Sequence, residues 1–153
     1  MKIRIATEKD TEDLEIIYNY FLQDMVQYDA EAMGLNVLER IKWSIQDENT
    51  CIFLCQEEEE IWGMIRIQKR HCGIDTRYIN CVKITDLYVI PSKRKRGIAS
   101  AFIHYVIQYA EQKGIAQIIL KVDEENHLAR SLYKSLGFKE QSIYQKRIVM
   151  QYG

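Results

Sequence analysis

Proline is nearly missing from this chain of 153 residues, Pro91 being its only example, and no repeat or low-complexity segment interrupts it. Long apolar runs are missing too. None approaches the ~20 residues that a membrane span needs, and the charged opening Met1 to Asp10 lacks the apolar core of a signal peptide. The expectation is a cytoplasmic protein with no membrane partner. The cysteines Cys51, Cys55, Cys72 and Cys81 contain no C-x-x-C pair, so neither a zinc site nor a redox motif is indicated, and Cys51 and Cys55 read as buried free thiols. Histidine is scarce: His71, His104 and His127 form no ligand-like pair, and no metal is expected. Excess charge of either sign is also absent, and the formal net charge of −1 argues against nucleic acid as a partner. Finally, neither G-x-x-x-x-G-K-[ST] nor G-x-G-x-x-G occurs, which leaves nucleoside triphosphates and dinucleotides unsupported.

What remains is an ordinary globular composition, 47% hydrophobic and 28% charged. The length suits one domain over residues 1–153, large enough to bury roughly two-thirds of the surface its unfolded chain exposes.

The chain is organised around Ile84 to Ala110. Its first part alternates and is rich in Val, Ile and Tyr up to Pro91, which cannot donate to a sheet ladder, so a strand should stop near Ile90. From Gly97 onward Ile98, Phe102, Val106 and Ala110 recur every fourth residue, the spacing of one helical face. Between them lies the basic turn Lys93-Arg94-Lys95-Arg96. A strand that runs through such a turn into a helix is an anion cradle, because the first helical amides lack intrahelical partners and the helix dipole adds positive charge there. Gly97 lets a ligand approach the backbone closely, and pyrophosphate suits the site.

Arg94-Lys95-Arg96-Gly97-Ile98-Ala99 matches [RQ]-x-x-G-x-[GA], and Asn126 to Phe138 matches N-x-x-A-x-x-L-Y-x-x-x-G-F. In order and separation these segments resemble the GNAT superfamily, the acetyl-CoA-dependent N-acetyltransferases. The resemblance implies an α/β fold: a mixed, mostly antiparallel sheet of about six to seven strands with helices on both faces. It implies that the central strand and the next splay apart at a bulge to admit the pantetheine arm. It also implies acetyl-CoA as co-substrate, and a small-molecule or peptide amine as acceptor.

The elements read in order as follows. A strand covers Lys2 to Ala6, and Thr7 with Asp10 resembles a capping box. A helix follows with Leu14, Ile17, Phe21 and Met25 as its stripe. A second helix is read from Leu38, Ile41 and Ile45, after an irregular stretch from Gln27 to Met33 and a break at Gly34. Two strands, Cys51 to Gln56 and Ile61 to Lys69, meet at an acidic hairpin tip, Glu57 to Glu60. A loop from His71 to Arg77 leads into the central strand. Helix 97 to 113 ends at Gly114, and Ala116 to Val122 reads as a buried parallel strand. The last helix, Asn126 to Leu136, is assigned a core stripe of Leu128, Leu132 and Leu136, and one or two closing strands complete the chain.

On the resemblance, the cofactor lies against Tyr88, Val89 and Ile90 and against Arg94, Lys95, Arg96, Gly97, Ile98, Ala99 and Ser100, with Asn126 on the pantetheine and Tyr133 near its sulfur. The Val89 amide is placed to hold the oxyanion of the acyl transfer. Asn126 and Tyr133 are seven residues apart and so share one helical face. A phenol can protonate a leaving thiolate, which makes Tyr133 the general-acid candidate, against the alternative of a tyrosine packed between helix and sheet. Asp86 is the candidate base for the amine, against the alternative of a structural acceptor with a water relay in its place. The whole reading competes with a catalytically idle acyl-CoA-binding module. The acceptor stays open among an amino-acid analogue, a polyamine, an antibiotic and a protein N-terminus. The closing strands offer an edge for a homodimer, an assembly common in the family.

Overall fold

The structure, a computed structural model, describes residues 1–28, 36–72 and 78–153. Seven strands form one sheet: β1 (Lys2–Ile5), β2 (Thr50–Glu57), β3 (Glu60–Arg70), β4 (Cys81–Val89), β5 (Gln117–Asp123), β6 (Lys139–Tyr144) and β7 (Arg147–Tyr152). Their spatial order is β1-β2-β3-β4-β5-β7-β6, and every neighbouring pair is antiparallel except β4 and β5.

Local chemistry explains the connections. The acidic run is indeed a hairpin tip, with Glu58 at φ 53° between β2 and β3. Gln145 and Lys146, at φ 48° and 65°, turn β6 into β7 in the left-handed conformation that tight hairpins require. A parallel pair cannot be joined by a hairpin, and β4 reaches β5 through helix α3 (Ile98–Gln112).

Helices α1 (Thr11–Met25) and α2 (Val37–Gln46) cover one face of the sheet. There Leu14, Ile17, Tyr18, Phe21 and Ile41 bury against Leu54, Met64 and Tyr88. On the other face, Ile98, Phe102, Val106 and Ala110 of α3 bury as their spacing predicts, against Ile65, Ile67, Val82, Ile84 and Leu120. Each of the buried Val, Leu, Ile, Phe and Met side chains contributes about 1.5–3 kcal/mol by leaving water. Gly114, at φ 70°, ends α3 with the left-handed residue that a β-carbon would disfavour.

The start of α1 is more elaborate than a single cap. A 3-10 turn, Glu8–Asp10, precedes it, and Asp10 accepts from the Thr7 amide at 2.8 Å. Asp10 also takes both terminal nitrogens of Arg4, at 2.9 and 2.8 Å, and this pairing holds its carboxyl below the usual carboxylate range.

Two expectations need correction. In α4 (His127–Ser135), Leu128 is 87% exposed; the inward face is Ala129, Tyr133 and Leu136, packed against the α3-side core. Of the expected row only Leu128 turns fully outward, Leu132 and Leu136 staying half-buried, and Ala129 and Tyr133 complete the inward face. β5 is parallel to β4 as expected, yet it alternates: Ile118, Leu120 and Val122 are buried while Gln117 and Lys121 are exposed, because no helix among the described residues covers Lys121 on the α1 side. Cys55 is buried and free, Cys51 is free and half-buried, and Cys72 is bonded to Cys81 in a disulfide that the sequence did not suggest. Asn80 staples the same junction, accepting from the Cys72 amide and donating to its carbonyl, both at 2.6 Å.

Most of the expected irregular stretch from Gln27 to Met33, the break at Gly34 and most of the loop from His71 to Arg77 lie outside the described residues. Among those described, no helix is long and apolar enough to cross a membrane. No group of three or more His, Cys, Asp or Glu among them could hold a metal ion.

Candidate active site

The site is made by two strands that part. β4 and β5 pair only from Cys81 and Gln117 to Ile84 and Leu120, although β4 continues to Val89 and β5 to Asp123. The separation begins at a bulge. On β3, Ile67 lies opposite Ile84 and Arg66 opposite Asp86, so Thr85 is one residue too many for the ladder. The Thr85 hydroxyl closes the irregularity, donating to the Arg66 carbonyl at 3.2 Å and accepting from Arg66 Nη1 at 3.0 Å.

Beyond the bulge, the direction of the Val89 amide follows from the ladder. Ile90 N–H donates to the Trp62 carbonyl at 2.9 Å, so by antiparallel alternation the facing pair Gly63 and Val89 exchange no hydrogen bonds. The N–H and C=O of Val89 therefore face away from β3, toward the side from which β5 has diverged. Gly63 is needed for this fit: a β-carbon there would stand 2.5 Å from the Tyr88 carbonyl oxygen and 3.2 Å from the Phe102 ring.

The basic turn follows at once. Pro91–Lys93 form a 3-10 turn, Arg94 is extended, Lys95 sits at φ 63° and Gly97 at φ 79°. Gly97 caps α3 without any side-chain bond to its first amides, leaving those of Ile98, Ala99 and Ser100 directed out of the helix end. No atom lies within 4 Å of where a Gly97 β-carbon would be, so the glycine serves the left-handed backbone. Arg94 is exposed yet tied back to the fold: Nε donates to the Val89 carbonyl at 2.9 Å, Nη2 pairs with Asp24 at 3.0 Å and its guanidinium lies over the Tyr88 ring. Lys93 and Arg96 lie over the indole of Trp62, 4.5 and 5.8 Å from its centre.

On the α1 side the gap opens into a cavity of about 610 Å³. Asp86, Asn126 and Tyr133 all line it, so the structure gathers three of the sequence candidates at one place. Tyr88 to Ile90 and Arg94 to Ser100 lie outside its lining and form the other arm of the site. Asn126 caps α4, its Oδ1 accepting from the Ala129 amide at 3.3 Å, which leaves its NH₂ group to face a ligand. Tyr133 is 9% exposed, and its hydroxyl bonds to no other described residue. Burial pushes this phenol up to about 12, so it carries its proton throughout the physiological range.

Asp86 is 7% exposed and its oxygens are taken. Tyr18 donates to Oδ2 at 2.6 Å, and Arg40 donates through Nε and Nη2 at 3.0 to 3.2 Å. Burial and the Asp86 charge push the Tyr18 phenol well above its ordinary value. Behind them Arg66, 3% exposed, donates from Nε to Ser44 Oγ at 2.7 Å, and Ser44 donates to the Arg40 carbonyl at 2.6 Å. Burial followed by the Arg40 charge depresses the Arg66 guanidinium.

Reading the sequence did not single out Tyr18, Arg40, Gly63 or Arg66. A signal existed for two of them: a glycine inside an apolar strand marks close backbone approach, and an arginine there must be satisfied internally.

Sheet, splayed strands and cradle together describe an acetyltransferase, and residues 14–138 match the acetyltransferase (GNAT) family, to which the chain belongs. Among its relatives is the uncharacterized N-acetyltransferase YhfO of Bacillus subtilis, 23% identical over 140 residues that span 92% of this chain and 91% of that one. The fold also matches the PaiA N-acetyltransferase of Thermoplasma acidophilum in complex with coenzyme A, with a TM-score of 0.77 at 18% identity over 99% of both chains. A third likeness is the aminoglycoside antibiotic 6'-N-acetyltransferase of Acinetobacter haemolyticus, with a TM-score of 0.74 at 20% identity, covering 94% of this chain and 96% of that one.

Proposed function

We propose that the protein transfers the acetyl group of acetyl-CoA to a primary amine by direct attack in a ternary complex. The observation that carries this reading is the outward-facing Val89 amide in the gap between β4 and β5, with the α3 cradle at one end and the cavity at the other. The residues fit the co-substrate. Left-handed Lys95 and Gly97 and the free amides of Ile98 to Ser100 suit its pyrophosphate, and the edge Tyr88 to Ile90 suits an amide-bearing arm. The Asn126 NH₂ group, left over when Oδ1 caps α4, suits the same arm as a donor.

In the transfer, the amine nitrogen forms a C–N bond to the thioester carbonyl carbon while the C–S bond breaks and sulfur leaves with the electron pair. The nitrogen loses one proton and sulfur gains one. Val89 N–H holds the carbonyl oxygen as negative charge grows on it, and the Tyr133 hydroxyl gives a proton to the departing sulfur. Asp86 would have to surrender contacts with Arg40 and Tyr18 to take a proton directly; we assign that proton to water, with Asp86 holding Arg40 in place. We place the expected homodimer contact at the sheet edge β6, where Ile143 and Tyr144 are 65% and 70% exposed.

The test is a thermal melt with and without acetyl-CoA, followed by thiol release on adding amines. Acetyl-CoA at 100 times its dissociation constant should add about 2.7 kcal/mol, a rise of roughly 5 to 10 °C for a chain of this size. A rise without thiol release from any amine would favour the idle acyl-CoA-binding module instead.

A further inference from the structure

The cavity carries a charge that the chain as a whole does not. Against a net charge of −1, the described residues of its lining include six cations, Arg40, Arg66, Arg70, Lys83, Lys121 and Arg147, and two carboxylates, Asp86 and Asp123, an excess of four among the described residues. Asp86 is already matched to Arg40, and Asp123 Oδ1 accepts from the Glu125 amide at 3.0 Å.

The cations share one face because the strands alternate. Ile118, Leu120 and Val122 of β5 point into the α3-side core, which turns Lys121 to the opposite face. Lys83 lies between Gln68 of β3 and Ile119 of β5, and because the bulge falls between them, it shares its face with Asp86 despite their odd spacing. Four strands thus contribute to one positive surface beside the gap. Lys83 is half-buried there; burial, and then the fields of Arg70, Lys121 and Arg147, lower its ammonium from the ordinary value. Like charges brought together at a cavity oppose one another, and an anionic ligand bound beside Lys83 and Lys121 relieves that opposition.

We propose that the acceptor is a small anionic amine, one whose carbon frame bears at least two acidic groups of the carboxylate, phosphonate or phosphate kind. This rests on the N-acetyltransferase reading of the same cavity. Arg70, Lys83 and Lys121 hold the acidic groups, and the amine is directed toward Val89 and Tyr133. The volume of about 610 Å³ suits a small molecule rather than a folded partner. The surface has a second use, since nearby positive charge favours the neutral, nucleophilic form of the amine. Polyamines and aminoglycosides, which arrive with several positive charges, meet repulsion at the same place.

The experiment compares thiol release from acetyl-CoA with glutamate, 2-aminoethylphosphonate, glycinamide, spermidine and kanamycin. In parallel, glutarate and inorganic phosphate, which carry no amine, are titrated calorimetrically into the protein alone. We expect kcat/KM for the two acidic amines to exceed that for the others at least 100-fold. Lys83→Gln and Lys121→Gln should raise KM for glutamate at least tenfold more than they lower kcat, weaken glutarate binding and leave acetyl-CoA affinity in place. A preference for spermidine or kanamycin overturns the proposal, as does turnover confined to acidic peptides. Glutarate and phosphate affinities that Lys83→Gln and Lys121→Gln leave unchanged also overturn it. Glutarate binding that depends on Lys83, in a protein that fails to bind acetyl-CoA, supports the anion site while removing the transferase reading.

Discussion

Tyr18 and Asp86, 68 positions apart in the chain, meet in a 2.6 Å hydrogen bond with both side chains buried. The bond fixes the carboxylate that Arg40 grips from the other side. Tyr18→Phe should cost about 1–3 kcal/mol, the penalty for leaving a buried acceptor short of a donor. Asp86→Asn should cost about 3–5 kcal/mol, because it strands a half-buried Arg40 charge. If water takes the amine proton, Asp86→Asn lowers activity mainly through acceptor KM, and the acid limb of the kcat/KM profile stays where it was. A limb that moves or vanishes would restore Asp86 as the base.

Gly63 supports the reaction from outside the cavity. In Gly63→Ala the new methyl group would meet the Tyr88 carbonyl at 2.5 Å, and the clash is with backbone, so β4 must shift. Overpacking of this kind costs about 1–3 kcal/mol. Misplacing the Val89 amide by an ångström should cost on the order of 100-fold in turnover. Single-turnover rates beside melting curves separate the two effects.

Arg94 ties the cradle to the strand that precedes it. Arg94→Glu removes its bonds to the Val89 carbonyl and Asp24 and sets two carboxylates against each other. Acetyl-CoA affinity should fall at least tenfold, read by calorimetry, while the fold persists. Unchanged affinity would show that the turn is not where the pyrophosphate lies.

Tyr133→Phe should lower turnover by roughly 10²-fold or more with little change in acetyl-CoA affinity, as for the loss of a positioned acid. Its titration offers a second reading. Tyr133 and Tyr109 are both pushed up to about 12, each chiefly by burial. Since the unfolded value is ~10, their contribution to stability is complete below pH 10 and is lost as pH climbs to about 12. Urea melts across that interval, with phenolate absorbance followed alongside, should show stability falling steadily. A flat profile would contradict the burial of these rings.

What could be read from the residues alone divides by distance along the chain. The cradle Arg94 to Ala99 and the pair Asn126 and Tyr133 lie within short segments whose spacing carries the geometry, and the structure places them on one helix end and in one cavity. The hold of Arg40 and Tyr18 on Asp86 spans 46 and 68 positions, and no local pattern announces such a partner. Leu128 was misplaced for a related reason: the leucines of α4 repeat every fourth residue, but which helical row faces inward is decided by the docking of α4 on the sheet. The bond between Cys72 and Cys81 likewise depends on how β3 and β4 bring their ends together.

Thr85 acts as a phase shift in β4. A strand counts its sides in twos, and the one supernumerary residue resets the count, so Ile84 and Leu87 both serve the α3 layer while Asp86 and Tyr88 serve the α1 layer. Point substitution can change what each of these positions carries, but not the side on which it works. Losing Thr85 would invert the strand beyond it, turning Asp86 and Tyr88 into the α3 core and Leu87 and Val89 toward the α1 layer. The assignment of sides in this site can therefore be altered only by an insertion or a deletion, a step far rarer than substitution and far harder to survive.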